Sequence, residues 1–334
     1  MKILCVGDLH FKYELSYASS ILDGRKSEWE VVKKTIHDTA KYCDSIVLLG
    51  DSFNSRHNHS GVIKEFIEFL NAFGEKEVHI LCGNHERYGS NTAVDFLKSI
   101  KKKNIFVYLS PMQALISGQL ATMIPFMTPA LLGVETIEEG NKELSSKLNK
   151  TDLAFCHLAV TGAKGSEFFN EIILDKKELE SKFGMTFAGH LHTPEKLSEK
   201  IQITGSVFTQ EVGETEKFIY VYDTETKKTE SVKLPVRGIR KIIWEERDRG
   251  ELIPKETILK CYITDKKTVV EDVKKELEAY FDSVIIIEQY ENTRQKVHFE
   301  EGGLDLSIES LLKVYADTKK VNYDELKEGF DLIK

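Results

Sequence analysis

Short β-rich runs alternate with longer helical patterns over the first hundred residues of the chain. Three runs of strand length, KILCVGD, SIVLLGD and EVHILCGN, each end in polar residues. The segments that separate and follow them, EWEVVKKTIHDTAKYC, GVIKEFIEFLNAF and NTAVDFLKSIKKK, have the apolar spacing of amphipathic helices. This alternation predicts consecutive strand–helix–strand units.

The pattern becomes richer in strands from about Leu120, with runs such as DLAFCHL, MTFAGH and KFIYVYDTE. We therefore predict an α/β fold over residues 1–235, in which two sheets form a β-sandwich flanked by helices. After Pro235, strand-like runs around the helical pattern VVEDVKKELEAYF predict a small α/β domain over residues 236–300. Residues 301–334 have apolar positions at helical spacing and predict a C-terminal helical segment.

Composition places the chain among ordinary soluble proteins. Of its 334 residues, 41% are apolar and 30% are charged. No apolar run has the length that a bilayer requires, and MKILCVGD does not resemble a signal peptide, so we expect a cytoplasmic protein without membrane contact. Five scattered cysteines without CxxC spacing indicate reduced thiols packed as small apolar side chains.

The net charge of −8 argues against general electrostatic attraction to nucleic acid. Binding to DNA would need metal ions, a partner or local basic patches. The candidate residues for such patches are Lys98, Lys101, Lys102, Lys103, Arg237, Arg240 and Lys241. The alternative is that these side chains are only solvated surface residues.

Polar side chains that can bind metal follow five of the predicted strands. They are Asp8 and His10, Asp51, Asn84 with His85, His157, and His190 with His192. Ligand sites of α/β sheets form at the carboxyl ends of strands, so the five groups are expected to converge. Each group alone is more often a turn aspartate or a core histidine than a site. Together, carboxylate, amide oxygen and imidazole make a mixed shell suited to manganese, iron or zinc.

The five-part set, Asp-x-His, Gly-Asp, Gly-Asn-His, a single histidine and Gly-His-x-His, resembles that of the calcineurin-like metallophosphoesterases over about residues 1–230. The resemblance implies two metal ions bridged by Asp51. One ion would be held by Asp8, His10, Asp51 and His192, and the other by Asp51, Asn84, His157 and His190. His85 would stabilise the transition state or protonate the leaving oxygen.

GDSFNSR, the ITGSVFTQE segment after GHLH and the chain length resemble the SbcD-like DNA-repair nucleases. This implies a DNA exonuclease and endonuclease that uses two Mn²⁺ ions, with Mg²⁺, Fe or Zn²⁺ as other options. It also implies a homodimer that processes DNA ends with an SbcC-type, SMC-like ATPase in repair and recombination. Residues 236–300 would cap DNA and residues 301–334 would bind the ATPase. Bacteriophage recombination nucleases of the family share the modest length, which would place the protein in the host cytoplasm.

Three further residues lie within or next to the motifs. Asn54 and Glu86 stand where many relatives carry other residues, and Arg56 contacts phosphate or is a solvated loop arginine. GNHER also resembles the Ser/Thr protein phosphatases, so a protein phosphatase or a small phosphodiesterase on the same core is the alternative. GDSFNSR does not follow the phosphatase pattern. An inactive scaffold would have lost ligand residues, whereas every one is present.

Overall fold

The computed structural model describes residues 1–11, 22–89, 91–99, 102–210, 212–214, 216–247, 257–281 and 283–289, with single positions at 253, 255, 316, 322, 323 and 327. The chain divides into two compact units, Met1–Glu288 and Gln289–Lys334. The first unit contains the sheets that build the fold.

The strands of the first unit, in chain order, are β1 (Lys2–Val6), β2 (Ser45–Leu48), β3 (Glu77–Leu81), β4 (Arg87–Tyr88), β5 (Asn91–Thr92), β6 (Ile105–Tyr108), β7 (Met112–Ile116), β8 (Gln119–Ile124), β9 (Thr151–Cys156), β10 (Phe183–Ala188), β11 (Glu195–Ser198), β12 (Ile201–Ile203), β13 (Phe218–Asp223), β14 (Lys228–Lys233), β15 (Ile239–Ile243), β16 (Ile258–Ile263) and β17 (Ser283–Glu288).

The helices lie between these strands. They are α1 (Leu22–Ala40), α2 (Ser60–Asn71), α3 (Phe96–Ser99), α4 (Pro129–Leu132), α5 (Ile137–Lys147), α6 (Lys176–Lys182) and α7 (Val270–Glu278), with one 3₁₀ turn at Ser166–Phe168. In this described part of the chain, no helix is both long and apolar enough to cross a membrane.

Two six-stranded sheets form the main architecture. The first has the order β14-β13-β1-β2-β3-β6, and its strands β1, β2, β3 and β6 are parallel. The second has the order β11-β12-β10-β9-β8-β7, with β8, β9, β10 and β12 parallel. Antiparallel strands close the edges at β14 and β13 of the first sheet and at β7 and β11 of the second.

The β1 strand shows why these runs are apolar throughout. Ile3 and Cys5 belong to a core that joins the two sheets, together with Phe155 and Phe187 of the second sheet. Leu4 and its β1 neighbours on the other face pack instead with residues of α1 and α2. A strand buried on both faces has no polar alternation. A third core covers the outer face of the second sheet with α5 and α6. The predicted β-sandwich flanked by helices is confirmed.

Residues after 235 form a separate three-stranded parallel sheet, β15-β16-β17. The helix α7 packs on it through the buried residues Val273 and Leu277. The predicted strands and helix are therefore present, while the predicted boundaries at 235 and 300 stay predictions. The predicted C-terminal helices at 301–334 lie almost entirely outside the described residues.

The run NTAVDFLKSIKKK is mostly not helical, contrary to the pattern. Asn91–Thr92 pairs instead with Arg87–Tyr88 in a small hairpin, and only Phe96–Ser99 is helical among the described residues of the run. Gly89 supplies the positive φ of 57° for the turn, which the helical spacing does not reveal. All five cysteines are buried free thiols.

Candidate metal centre

The predicted metal ligands meet at one edge of the sandwich. Each stands directly after a strand or a few residues beyond it: β1, β2 and β3 in the first sheet, and β9 and β10 in the second. Hydrogen bonds from main-chain amides hold these ends together, since the His10 amide donates to the Asp51 carbonyl at 2.8 Å and the His190 amide donates to the Asp8 carboxylate at 3.0 Å. Ligands from separate strands therefore converge in a site buried between the sheets.

Backbone conformations at the site are unusual for the residues that adopt them. His10, Asp51 and His190 have positive φ angles of 45°, 44° and 78°. Such strain in non-glycine residues persists where surrounding contacts enforce it and is concentrated at functional sites. Gly50, with φ of 101°, lies so close to His157 that an added Cβ would be 2.2 Å from its Nδ1. The chain reaches this packing only with glycine.

The first group of ligand atoms lies around His10. Ligand atoms of Asp8, His10 and His192 all lie within 4.8 Å of one another. The Nε2 atoms of His10 and His192 face each other at 3.0 Å, and the Asp51 Oδ2 atom lies 3.8 Å from His10 Nε2. These four residues are the ones predicted to hold one metal.

The second group shares Asp51. Ligand atoms of Asp51, His157 and His190 lie within 4.8 Å of one another. The Asn84 Oδ1 atom is 3.1 Å from His157 Nε2 and 3.0 Å from His190 Nδ1. Because Asp51 Oδ2 is also 3.4 Å from His157 Nε2, the same carboxylate oxygen borders both groups. The structure thus brings together the residues predicted for the second metal, with Asp51 between the two sets.

Hydrogen bonds on the outer side of the site show that its inner side presents lone pairs. His157 Nδ1 donates to the Leu49 carbonyl at 2.6 Å, so in the neutral ring Nε2 faces inward with its lone pair. His190 Nε2 donates to Glu171 Oε1 at 2.5 Å, which leaves Nδ1 as an acceptor opposite Asn84 Oδ1. Acceptors that face acceptors at about 3 Å repel each other, and a metal cation that they all bind removes that repulsion. The residues therefore fit a divalent metal of mixed oxygen and nitrogen preference.

Charge in the site agrees with this conclusion. Burial raises the pKa of Asp8 above its ordinary value, against the opposing effect of His157. Burial lowers the pKa of His157, but the carboxylates of Asp51 and Asp8 outweigh that effect and raise it to about 10. Two buried carboxylates thus draw positive charge into the site. A bound cation supplies that charge without a proton.

His85 differs from these residues in exposure and contacts. Its side chain is 38% exposed, whereas those of Asp51 and His157 are buried. Its Nδ1 donates to the Asn54 carbonyl at 2.9 Å, and its Nε2 lies 3.9 Å from Asp51 Oδ2. With His10 and Asp51 it forms a further group of atoms able to hold a metal. Its position at the open side of the centre suits the predicted role toward the leaving oxygen, which stays a prediction.

Asn54 and Arg56, predicted near the substrate, lie on the loop after β2. Asn54 contributes its main-chain carbonyl to His85. Arg56 is exposed, and its guanidinium lies over the Tyr88 ring at 5.0 Å. Arg56 thus lies on the loop after β2 and Tyr88 on β4, and a contact with phosphate stays a prediction.

The proposed basic patches are partly neutralised by neighbours. Lys98 lies 3.3 Å from Asp95, and Arg237 lies 3.4 Å from Glu28. Lys241 lies over the Tyr262 ring at 4.5 Å. Lys101 lies outside the described residues. Local pairing of this kind favours the solvated-surface interpretation for Lys98.

Several charged residues that were not predicted as metal ligands support the centre from outside. Glu86 is fully buried, and its carboxylate accepts from the Gly83 and Phe53 amides at 2.6 and 2.9 Å. Glu171 accepts from His190 Nε2. The place of Glu86 in the Gly-Asn-His-Glu motif is visible in the sequence, whereas Glu171 could not be found from strand-end motifs, because its contact forms between two separate loops.

A buried lysine completes this support. Lys217 is fully buried and donates to the His192 carbonyl at 2.7 Å and to Ser206 Oγ at 3.0 Å. It also pairs with Glu214 at 2.7 Å, and the other Glu214 oxygen lies 3.7 Å from His192 Nδ1. In the sequence Lys217 precedes an apolar strand and shows no sign of its burial.

The fold and the centre together define a metal-dependent phosphoesterase. A family model of the calcineurin-like phosphoesterases matches residues 1–194, which is more than half of the chain. The chain belongs to this family, whose members have a dinuclear metal centre.

One solved structure is similar to the chain at low identity. It is described as a novel archaeal phosphodiesterase and is 17% identical over 70% of this chain and 100% of its own, with a TM-score of 0.36. At that similarity it adds nothing to the assignment. No curated protein matches the chain.

Proposed function

We propose that the chain is a manganese-dependent DNA nuclease, with exonuclease and endonuclease activity, that acts in DNA end processing. The observation that carries the hydrolytic part is the convergence of acceptor atoms into two groups that share Asp51 Oδ2. Two cations bound there would polarise a phosphodiester and make a water molecule acidic enough to attack it. Oxygen and imidazole ligands without thiolate suit Mn²⁺.

The protein's own residues would orient and protonate the substrate. Asp8, His10 and His192 would hold one cation, and Asn84, His157 and His190 the other, with Asp51 between them. His85 Nδ1 is committed to the Asn54 carbonyl, so a second proton would sit on Nε2 at the open side of the centre. From Nε2 that proton can pass to the departing 3′ oxygen.

DNA as substrate is supported by sequence rather than by charge. GDSFNSR and ITGSVFTQE resemble segments of SbcD-like nucleases, while the chain carries a net charge of −8. We therefore propose that an SbcC-type ATPase and a second copy of the chain supply most of the affinity for DNA. Contacts between protein side chains and DNA phosphates are independent of base sequence.

The test is cleavage by the purified full chain of linear duplex DNA, hairpin DNA, bis-p-nitrophenyl phosphate and a phosphopeptide, with Mn²⁺, Mg²⁺, Zn²⁺ or Fe²⁺. We expect manganese-dependent degradation of DNA that falls by about 10²- to 10⁴-fold in His85→Gln. The His85 variant should still bind both metals. His57→Gln, an exposed histidine of a neighbouring loop, is the matched control.

Other outcomes would contradict particular parts of the proposal. Phosphate release from the phosphopeptide without DNA cleavage would indicate a protein phosphatase. Hydrolysis of the small diester alone would indicate a small phosphodiesterase. Loss of metal binding in His85→Gln would show that His85 is a ligand and not a proton donor.

A further inference from the structure

Glu171 contacts the outer nitrogen of a predicted metal ligand. Its Oε1 atom lies 2.5 Å from His190 Nε2, while His190 Nδ1 faces Asn84 Oδ1 at 3.0 Å on the inner side. The Glu171 side chain is 19% exposed and the His190 side chain is 5% exposed, so water competes little for this bond. The imidazole therefore connects a carboxylate outside the centre with the acceptors inside it.

The position of Glu171 is built into the fold. It lies in a loop whose ends are joined by a bridge between Val160 and Leu174. The next residue, Ile172, is fully buried in the outer core, where its side chain lies against Gly140 of α5. An added Cβ at Gly140 would lie 2.8 Å from Ile172 Cδ1, so this close approach depends on glycine. The glutamate is thus anchored by packing.

The ring of His190 is restrained on other sides as well. The Phe169 ring lies 4.9 Å from it, the His157 ring 5.2 Å and the Phe126 ring 5.9 Å, measured between centroids. These rings limit tilt but do not choose between the two nitrogens, because neither face of the imidazole distinguishes Nδ1 from Nε2. The hydrogen bond to Glu171 makes that choice.

We propose that Glu171 is a positioning residue, which keeps the proton of His190 on Nε2 and so presents the Nδ1 lone pair to the cation of the second group. A carboxylate in this place also makes the imidazole a stronger ligand. The proposal rests on the two-metal centre of the proposed function and does not depend on its substrate. Loss of Glu171 should therefore weaken the binding of one cation and leave the binding of the other unchanged.

The first measurement is titration of the metal-free, full-length protein with Mn²⁺. Binding is detected by calorimetry and by the electron paramagnetic resonance signal of free Mn²⁺. We expect two ions per chain in the wild type. In Glu171→Ala, one dissociation constant should rise by about 10- to 100-fold and the other should change by less than about twofold. Glu171→Gln keeps an acceptor oxygen and should show a smaller rise.

The matched control is Glu167→Ala, which removes an exposed glutamate from the same loop. It should leave both dissociation constants unchanged. If Glu171→Ala weakened the binding of both ions equally, or if Glu167→Ala lowered Mn²⁺ affinity as much as Glu171→Ala, the loop would be disturbed as a whole. Either result would overturn the proposal. Because Glu171→Gln is close in shape to the wild type, it tests the proposal even if Glu171→Ala folds poorly.

A second measurement reads the tautomer directly. Long-range ¹H–¹⁵N spectra of metal-free protein with ¹⁵N-labelled histidine, assigned with His190→Gln, should show His190 protonated at Nε2. In Glu171→Ala, signals of both tautomers are expected, while His157 keeps its proton on Nδ1 for the Leu49 carbonyl. A wild-type His190 protonated at Nδ1 would overturn the proposal. If the protein bound two ions but did not cleave DNA, the proposed DNA substrate would be contradicted and the proposal for Glu171 would be unaffected.

Discussion

Gly50 shows at the scale of a single residue how tightly the centre is packed. It precedes the shared ligand Asp51, adopts a φ of 101°, and leaves no room for a Cβ beside the imidazole of His157. Gly89 also has a positive φ, of 57°, but nothing lies within 4 Å of where its Cβ would be. A comparison of the two glycines therefore distinguishes the effect of backbone conformation from the effect of side-chain packing.

Gly50→Ala is expected to disrupt metal binding, and Gly89→Ala is not. Both changes strain the backbone by roughly 1–3 kcal/mol. Only the first also pushes against His157, which holds its place through the Leu49 carbonyl. Chemical denaturation and Mn²⁺ titration of both variants would measure the two effects. Equal Mn²⁺ affinity in the two variants would contradict this account of Gly50.

At the scale of an element, the connection between β12 and β13 supports the first ligand group. Within it, Lys217 bonds the His192 carbonyl and Ser206, and pairs with Glu214. A charge that is fully buried in this way is stable only with its partners. The connection thus joins the fold's stability to the position of His192.

Lys217→Met should destabilise the protein by about 3–5 kcal/mol, because it leaves the Glu214 carboxylate buried without its cation. Changing Lys217 and Glu214 together, to Met and Gln, should cost less than the sum of the single changes. Urea denaturation of the two single variants and the double variant would measure this coupling. Strictly additive losses would show that the two side chains act independently.

At the scale of the whole molecule, the proposed metal centre and the proposed partner-binding segment lie in separate parts of the chain. The predicted ligands all lie within residues 1–192, whereas the proposed ATPase-binding segment lies after residue 300. The excess of acidic over basic residues leaves a net charge of −8, so DNA affinity of the chain alone should be low.

Deletion of residues 304–334 is expected to leave hydrolysis of bis-p-nitrophenyl phosphate within about twofold of the full chain, since no predicted ligand is removed. Binding of an SbcC-type ATPase should be lost. Calorimetry or co-purification with the ATPase would measure the second effect. Unchanged partner binding would show that the segment has another role.

The extent to which the fold and the site could be predicted differs between their parts. The two-sheet fold follows from local apolar runs such as that of β1, and the motif residues follow those runs directly. The hairpin at residues 87–92 was not predicted, because its turn competes with an equally good helical spacing. Glu171 and Lys217 were not predicted as part of the centre, because their partners are supplied by other loops.

The sequence by itself determined the strands and helices of the main sheets outside the hairpin at β4 and β5, the ligand types and the places in the chain where the ligands stand. These properties depend on neighbours along the chain, so a pattern reveals them. Only the tertiary structure decided that Glu171 meets the outer nitrogen of His190 and that the buried Lys217 holds the His192 carbonyl. Those contacts arise because two sheets and their loops close on one another, and packing between distant segments leaves no periodic trace in a sequence.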